Sequence, residues 1–185
     1  MFGLIKLFWG IRALLYKPFF KKIGALSYIG KPIIILGARN ISIGKKVRIF
    51  PHVRMECHGS KSSIYIEDEV GIAQNVHITS GAKLRIGRSS TILANVFITN
   101  IDHQYSQVDM KVLDQSWNVK ETIIGENCFI GIGACIQAGT ILGKQCIVGA
   151  NSVVRGSFPD YCVIVGTPAR VVKRYNFETK NWEKI

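Results

Sequence analysis

Aliphatic residues recur along this chain at every sixth position. Ile124, Ile130, Ile136, Leu142, Val148 and Val154 hold that interval without a slip. The residue that follows is often glycine (Gly125, Gly131, Gly143, Gly149), and the fifth place of each unit is small: Cys128, Ala134, Thr140, Cys146, Ser152. The same beat runs through Ile43, Ile49 and Met55, through Ile66, Ile72, Ile78 and Leu84, and through Ile86, Ile92 and Ile98. A six-residue period fits neither a helical turn nor the plain alternation of a strand. It marks short strands and tight turns wound into a solenoid. Three hexads make one coil of a triangular prism, with the aliphatic residue inward and the small one easing the corner. Glycine after it is expected to tolerate unusual turn dihedrals. The pattern therefore predicts an all-β solenoid, a parallel β-helix.

The first residues follow a different rule. In MFGLIKLFWGIRALLYKPFFKK, residues 1–22, Phe2, Ile5, Phe8, Trp9, Arg12, Leu15 and Tyr16 trace helical spacing, with Lys6, Lys17, Lys21 and Lys22 between and after them. Lys6 and Arg12 interrupt the apolar run, which is too short and too charged for a membrane span. No small-residue cleavage site follows, so a signal peptide is not expected. Two roles stay open: an interfacial helix with its aromatic residues in lipid and its cations on acidic head groups, or a cap over the open end of the solenoid. The chain divides into an N-terminal amphipathic helix and lead-in (1–30), the β-helix (31–175, with 104–122 extruded as a loop) and a short C-terminal tail (176–185).

At 185 residues the chain is of single-domain length. Its formal charge of +12 suggests a polyanionic partner: nucleic acid, an acidic membrane face or a phosphorylated cofactor. The cations read as scattered along the coils, with no recognised nucleic-acid module, so nucleic acid is set aside. The five cysteines form no CxxC pair. Cys128 and Cys146 lie eighteen residues apart, one full coil, and read as small buried hydrophobes in one column. Unpaired cysteines favour a reducing cytoplasm.

The beat breaks most widely between Ile98 and Ile124. The segment TNIDHQYSQVDMKVLDQSWNVKE, 99–121, is polar and irregular. Asp102 falls where a small inward residue is due, which would be costly to bury. The coil is therefore expected to open at Asp102, leaving His103 at the root of a protruding loop. A neutral imidazole there can take a proton from an alcohol near neutral pH. His52, His58 and His77 read as solvated or structural. No histidine spacing suggests a converging three-histidine zinc site, and no metal is expected.

With these residues in view, the chain resembles the hexapeptide-repeat acyltransferases, and most closely those that O-acetylate sugars and bacterial surface polysaccharides. The resemblance rests on the hexads from 36 to 158, on the stretch ANVFITNIDH (94–103), and on the tail VGTPARVVKR (165–174). It implies a left-handed winding and a homotrimer with active sites between neighbouring subunits. It also implies acetyl-CoA as donor and His103 as the base that deprotonates an acceptor hydroxyl. Asp102 would orient His103 or bind acceptor, against a plain loop-opening role. Asn75 would contact the acceptor, or serve as a turn residue. Coenzyme A would lie along Gly131, Gly149 and Ala150, with Phe129 beside the pantetheine arm. Pro168, Arg170, Lys173 and Arg174 would meet its nucleotide end.

The resemblance thus points to an acetyl-CoA-dependent O-acetyltransferase of a sugar in a surface polysaccharide or its lipid-linked precursor. It would be cytoplasmic, with residues 1–22 at the inner membrane face. An acceptor that is an amino sugar, a nucleotide sugar or serine stays open, as does a solenoid that only scaffolds at the membrane.

Overall fold

The structure is a computed structural model and describes residues 2–185. The chain winds as a left-handed parallel β-helix of about seven coils with one N-terminal helix. The first face stacks Lys22–Ile23, Ile41–Ile43, Ser63–Ile66, Lys83–Ile86, Thr122–Ile124, Ile141–Leu142 and Ser157–Phe158. The second stacks Tyr28–Ile29, Arg48–Ile49, Gly71–Ile72, Thr91–Ile92, Phe129–Ile130, Ile147–Val148 and Cys162–Gly166. The third stacks Ile34–Leu36, Arg54–Cys57, His77–Ser80, Phe97–Thr99, Cys135–Ile136 and Val153–Val154.

Register turns the six-residue beat into columns. Ile43, Ile66, Ile86, Ile124 and Leu142 pair in sequence down the first face. Ile29, Ile49, Ile72, Ile92, Ile130, Val148 and Ile164 do so down the second. Met55, Ile78, Ile98, Ile136 and Val154 complete the prism on the third. All are buried. Each such side chain contributes about 1.5–3 kcal/mol relative to exposure. The expected small corner residues Cys128, Ala134, Thr140, Cys146 and Ser152 are buried beside them.

The glycines after each aliphatic residue have a different role from the one expected. Gly131 has no left-handed backbone; a Cβ there would lie 2.6–2.7 Å from the main chain of Val148, Gly149 and Ala150 in the next coil. Close approach between coils, not turn conformation, requires glycine. Most left-handed positions at the corners carry side chains, with Gly133 and Gly139 among the exceptions. His52, Asn75, Asn95 and Asn151 stack at the corner between the second and third faces, with φ of 54–63°. Their N–H groups donate to carbonyls of the preceding coil, which offsets the conformational cost.

The first coil begins at Lys22, within the stretch read as lead-in. Helix α1, Phe2–Tyr16, covers its open end. The N–H groups of Tyr28 and Gly30 donate toward the second coil, so by alternation the Ile29 carbonyl points to the uncovered end. Arg12 Nη1 donates to that carbonyl at 3.2 Å. Ala13 is buried, and Trp9 packs on Tyr28 and Phe50. The helix is thus a cap. At the far end, Ala169–Asn176 folds back antiparallel on Cys162–Gly166, and Asn181–Lys184 adds a further strand. All five cysteines are free thiols; burial pushes Cys57 up to about 11.

Candidate active site

The coil opens at Asn100, two residues earlier than the sequence suggested. Asn100 is fully buried. Its Oδ1 accepts the Gly81 N–H at 2.7 Å, its Nδ2 donates to Ser80 Oγ at 3.1 Å, and its carbonyl accepts the Lys120 N–H at 3.0 Å. One residue so gathers the roots of the excursion, its side chain bound to the third coil and its main chain to the returning strand. Asp102 is not the inward corner residue; the buried places are held by Thr99 and Asn100, and Asp102 stands partly exposed outside the prism.

The excursion is more ordered than the irregular loop expected. Ile101–His103 pairs antiparallel with Trp117–Val119, Asp102 opposite Asn118 and His103 opposite Trp117. Its tip is organised by Gln115, whose side chain accepts the Gln107 N–H and donates to the carbonyls of Gln107 and Met110. The hairpin leaves the fourth coil and the chain rejoins the prism at Thr122, whose Oγ1 donates to the Thr99 carbonyl at 2.9 Å.

This hairpin carries His103 into solvent with its ring edge-on to the Trp117 indole, centroids 6.2 Å apart. Asp102 Oδ1 accepts the backbone N–H of His103 at 3.1 Å, and Oδ2 accepts Arg155 Nη2 at 2.9 Å. The Asp102 carboxylate therefore holds the strand that bears the imidazole and links it to the sixth coil; among the described residues it makes no bond to the ring itself. Between hairpin and third face lies a cleft of about 170 Å³, lined by Phe97, Thr99, Asp102, Cys135, Gln137 and Arg155 among others. A larger cleft of about 520 Å³ on the first face holds none of the expected site residues.

A second group of polar side chains sits beside the hairpin. Trp117 also meets His58 edge-on at 5.5 Å. His58 Nε2 lies 3.9 Å from Glu56 Oε2, His77 Nε2 lies 3.2 Å from the same oxygen, and Arg54 Nη2 donates to Oε1 at 2.8 Å. Glu56 is buried, yet the Arg54 guanidinium holds its carboxyl below the usual carboxylate range against the opposing effect of burial. Glu56, Trp117 and Arg155 were not singled out in the sequence, and His58 and His77 read there only as solvated or structural. The signal that could have found some of them is coil register: Arg54 pairs with His77, and His77 with Phe97, so residues about twenty apart share one face.

The remaining expected residues fall in two places. Asn75 is an exposed left-handed corner residue in the column with His52 and Asn95. Phe129 is half exposed on the second face of the fifth coil, and Gly131 and Gly149 stack at the following corner, with Ala150 exposed beside them. Pro168 and Arg170 lie on the antiparallel turn beyond the seventh coil, with Lys173 and Arg174 further along that strand. The structure thus gathers the expected cofactor residues at the last three coils, one corner away from the third face. An exposed imidazole on the hairpin, with a cationic strand at the solenoid's end, can remove a proton from an acceptor while a phosphorylated donor is held by cations. Among the described residues no group of three histidine, cysteine or carboxylate side chains is placed to hold a metal, and no helix is long and apolar enough to cross a membrane.

A family model described as the hexapeptide repeat of succinyl-transferase matches residues 121–155. A protein of Escherichia coli (strain K12) named as the lipopolysaccharide biosynthesis O-acetyl transferase WbbJ is 35% identical over 164 residues, which span 83% of this chain and 81% of the relative. Among solved structures, AntD, an N-acyltransferase from Bacillus cereus in complex with dTDP and 3-hydroxybutyryl-CoA, superposes with a TM-score of 0.75 at 20% identity, over 91% of this chain and 90% of its own. A galactoside acetyltransferase in complex with coenzyme A superposes with a TM-score of 0.60 at 22% identity, over 94% and 76%. The repeat, the winding and the relatives agree: the chain belongs to the hexapeptide-repeat acyltransferases and is an enzyme of their sugar acetyltransferase group.

Proposed function

We propose that this protein is an acetyl-CoA-dependent O-acetyltransferase acting on a sugar hydroxyl of a bacterial surface polysaccharide or its lipid-linked precursor, with His103 as general base. The observation that carries the reading is the hairpin: it presents the His103 imidazole to solvent against Trp117, and its strand is fixed by Asp102, Arg155 and Asn100. Similarity to a protein named as an O-acetyl transferase of lipopolysaccharide biosynthesis supports a glycan acceptor.

In this mechanism a neutral imidazole nitrogen of His103 accepts the proton of the acceptor hydroxyl as its oxygen attacks the thioester carbonyl. A new C–O bond forms, and the carbonyl electrons move to oxygen, where a backbone N–H can stabilise them. Collapse breaks the C–S bond, and the imidazolium returns its proton to the departing CoA thiolate. Removing the hydroxyl proton during attack contributes about 10²–10⁴-fold. Asp102 acts by positioning the His103 main chain. Phe129, Gly131, Gly149 and Ala150 would line the pantetheine arm, and Pro168, Arg170, Lys173 and Arg174 would meet the nucleotide phosphates. Asn75 is offered as an acceptor contact from its corner. In keeping with the family resemblance, the working unit would be a cytoplasmic homotrimer in which a neighbouring subunit covers the solvent-open His103.

Release of CoA thiol from acetyl-CoA, followed across free sugars, nucleotide sugars and lipid-linked oligosaccharides, tests the reading. Release that depends on a lipid-linked or polymeric glycan supports it. Release only with an amino or nucleotide sugar would favour the second reading, which the AntD likeness supports.

A further inference from the structure

The cap helix is apolar on two sides, and the fold uses only one. Trp9, Ala13 and Tyr16 face the first coil, whereas Leu4, Leu7, Phe8, Ile11, Leu14 and Leu15 lie outside it, each 46–69% exposed. Their spacing of three and four is a second helical stripe. Phe19 continues it, and Leu26, Ile33 and Leu36 of the first coil are also bare. Contiguous apolar surface of this kind marks an interaction site on a soluble protein.

Charge identifies what the surface fits. The cations that read as scattered are concentrated: eleven of the twenty-four precede residue 56, and none of the twelve carboxylates does. Almost all of the net charge of +12 therefore belongs to the capped end. Lys17, Lys21, Lys22, Lys31 and Arg39 are exposed there, around the apolar stripe. A second copy of this chain docking through the same face would bring two such ends together, and like charges oppose that. An anionic bilayer offers the apolar boundary and the negative surface at once.

We propose that α1 docks the enzyme on an anionic membrane surface, its outer stripe in the head-group boundary and its inner stripe still capping the solenoid. The contact is interfacial and reversible. Coils stack about 4.8 Å apart, and the hairpin leaves from the fourth coil, so its root stands ~15 Å beyond the first coil, with Trp117 reaching back toward His58 of the second. If His103 is the base proposed above, that height suits a sugar borne several residues along a lipid-linked glycan.

Flotation of the purified full-length protein with vesicles of phosphatidylcholine, with or without phosphatidylglycerol, tests the docking without acetyl-CoA or acceptor, and so independently of His103. The protein should float with phosphatidylglycerol vesicles, weakly with phosphatidylcholine alone, and less as salt rises. Leu7→Glu/Leu14→Glu, which alters only exposed positions, should retain the wild-type melting temperature and lose at least ~100-fold in partition. Absence of flotation with anionic vesicles would overturn the proposal, as would equal flotation of the double variant. So would a wild-type protein that self-associates through this face, with the double variant dispersing and neither one floating.

Discussion

Asn100→Ala removes the side chain that closes the root of the hairpin bearing His103. Two hydrogen bonds are lost, from the Gly81 N–H at 2.7 Å and to Ser80 Oγ at 3.1 Å. Each is worth about 1 kcal/mol net, and a buried donor left without a partner costs about 1–3 kcal/mol. Ser80 Oγ keeps the carbonyls of Ser63 and Ala82, so the orphan is the Gly81 N–H. The expected loss is about 2–4 kcal/mol, a fall in melting temperature of roughly 5–15 °C for a chain of this size. Because the same residue's carbonyl holds the Lys120 N–H, the loss should concentrate in the hairpin. Hydrogen exchange at Ile101–His103 and Trp117–Val119 should accelerate before exchange in the buried columns does, and turnover should fall with it. Calorimetry and exchange on Asn100→Ala, with the exposed hairpin change Asn118→Ala as reference, read both effects. A melting temperature within about 1 °C of wild type, with unchanged exchange in the hairpin, would refute the reasoning that Asn100 anchors the site.

Two further predictions follow from the same geometry. The Asp102–Arg155 pair is half exposed at both ends, so Arg155→Ala should cost under about 1 kcal/mol of stability while lowering kcat several-fold at constant KM for acetyl-CoA. Arg155→Lys should recover part of it, and steady-state kinetics beside a melting curve separate the two effects. Glu56 gives a pH signature: its folded carboxyl titrates below the ordinary value of 4.5, chiefly because Arg54 donates to it. A depressed carboxylate stabilises the fold fully above its unfolded pKa, and that stability is lost as pH falls through the folded value. Arg54→Ala should therefore be less stable at neutral pH and show a shallower loss of stability below about pH 4.5; parallel denaturation curves across that window would check it.

The prism was legible because its columns are a repeat in the sequence. Each inward aliphatic from Ile43 to Val154 is buried where the beat placed it, since burial at a fixed interval is what a six-residue coil demands. The first coil keeps the same beat, with Ile23–Gly24 and Ile29–Gly30 six apart, but it follows directly on the basic, aromatic-rich helical segment and so read as its lead-in. The helix could be seen but its packed side could not. With apolar residues around most of the wheel, Phe8 and Leu15 looked as inward as Trp9, and only contact with Tyr28 and Phe50 decided the matter. The break before Ile124 pointed to His103, yet the pairing of His103 with Trp117 spans fourteen positions and leaves no periodic trace. The Glu56 group stayed hidden for a related reason. Its members come from two coils and the hairpin, and the early coils differ in length, so no constant spacing links them.

Single-turnover CoA release by His103→Ala tests whether His103 removes the acceptor proton. His103 is exposed, its ring edge-on against Trp117, so the variant should keep its fold and melting temperature. Acceptor-dependent release should slow by at least ~100-fold, with acetyl-CoA binding unchanged. A folded variant that turns over at close to the wild-type rate would contradict it and move the base elsewhere on the third face.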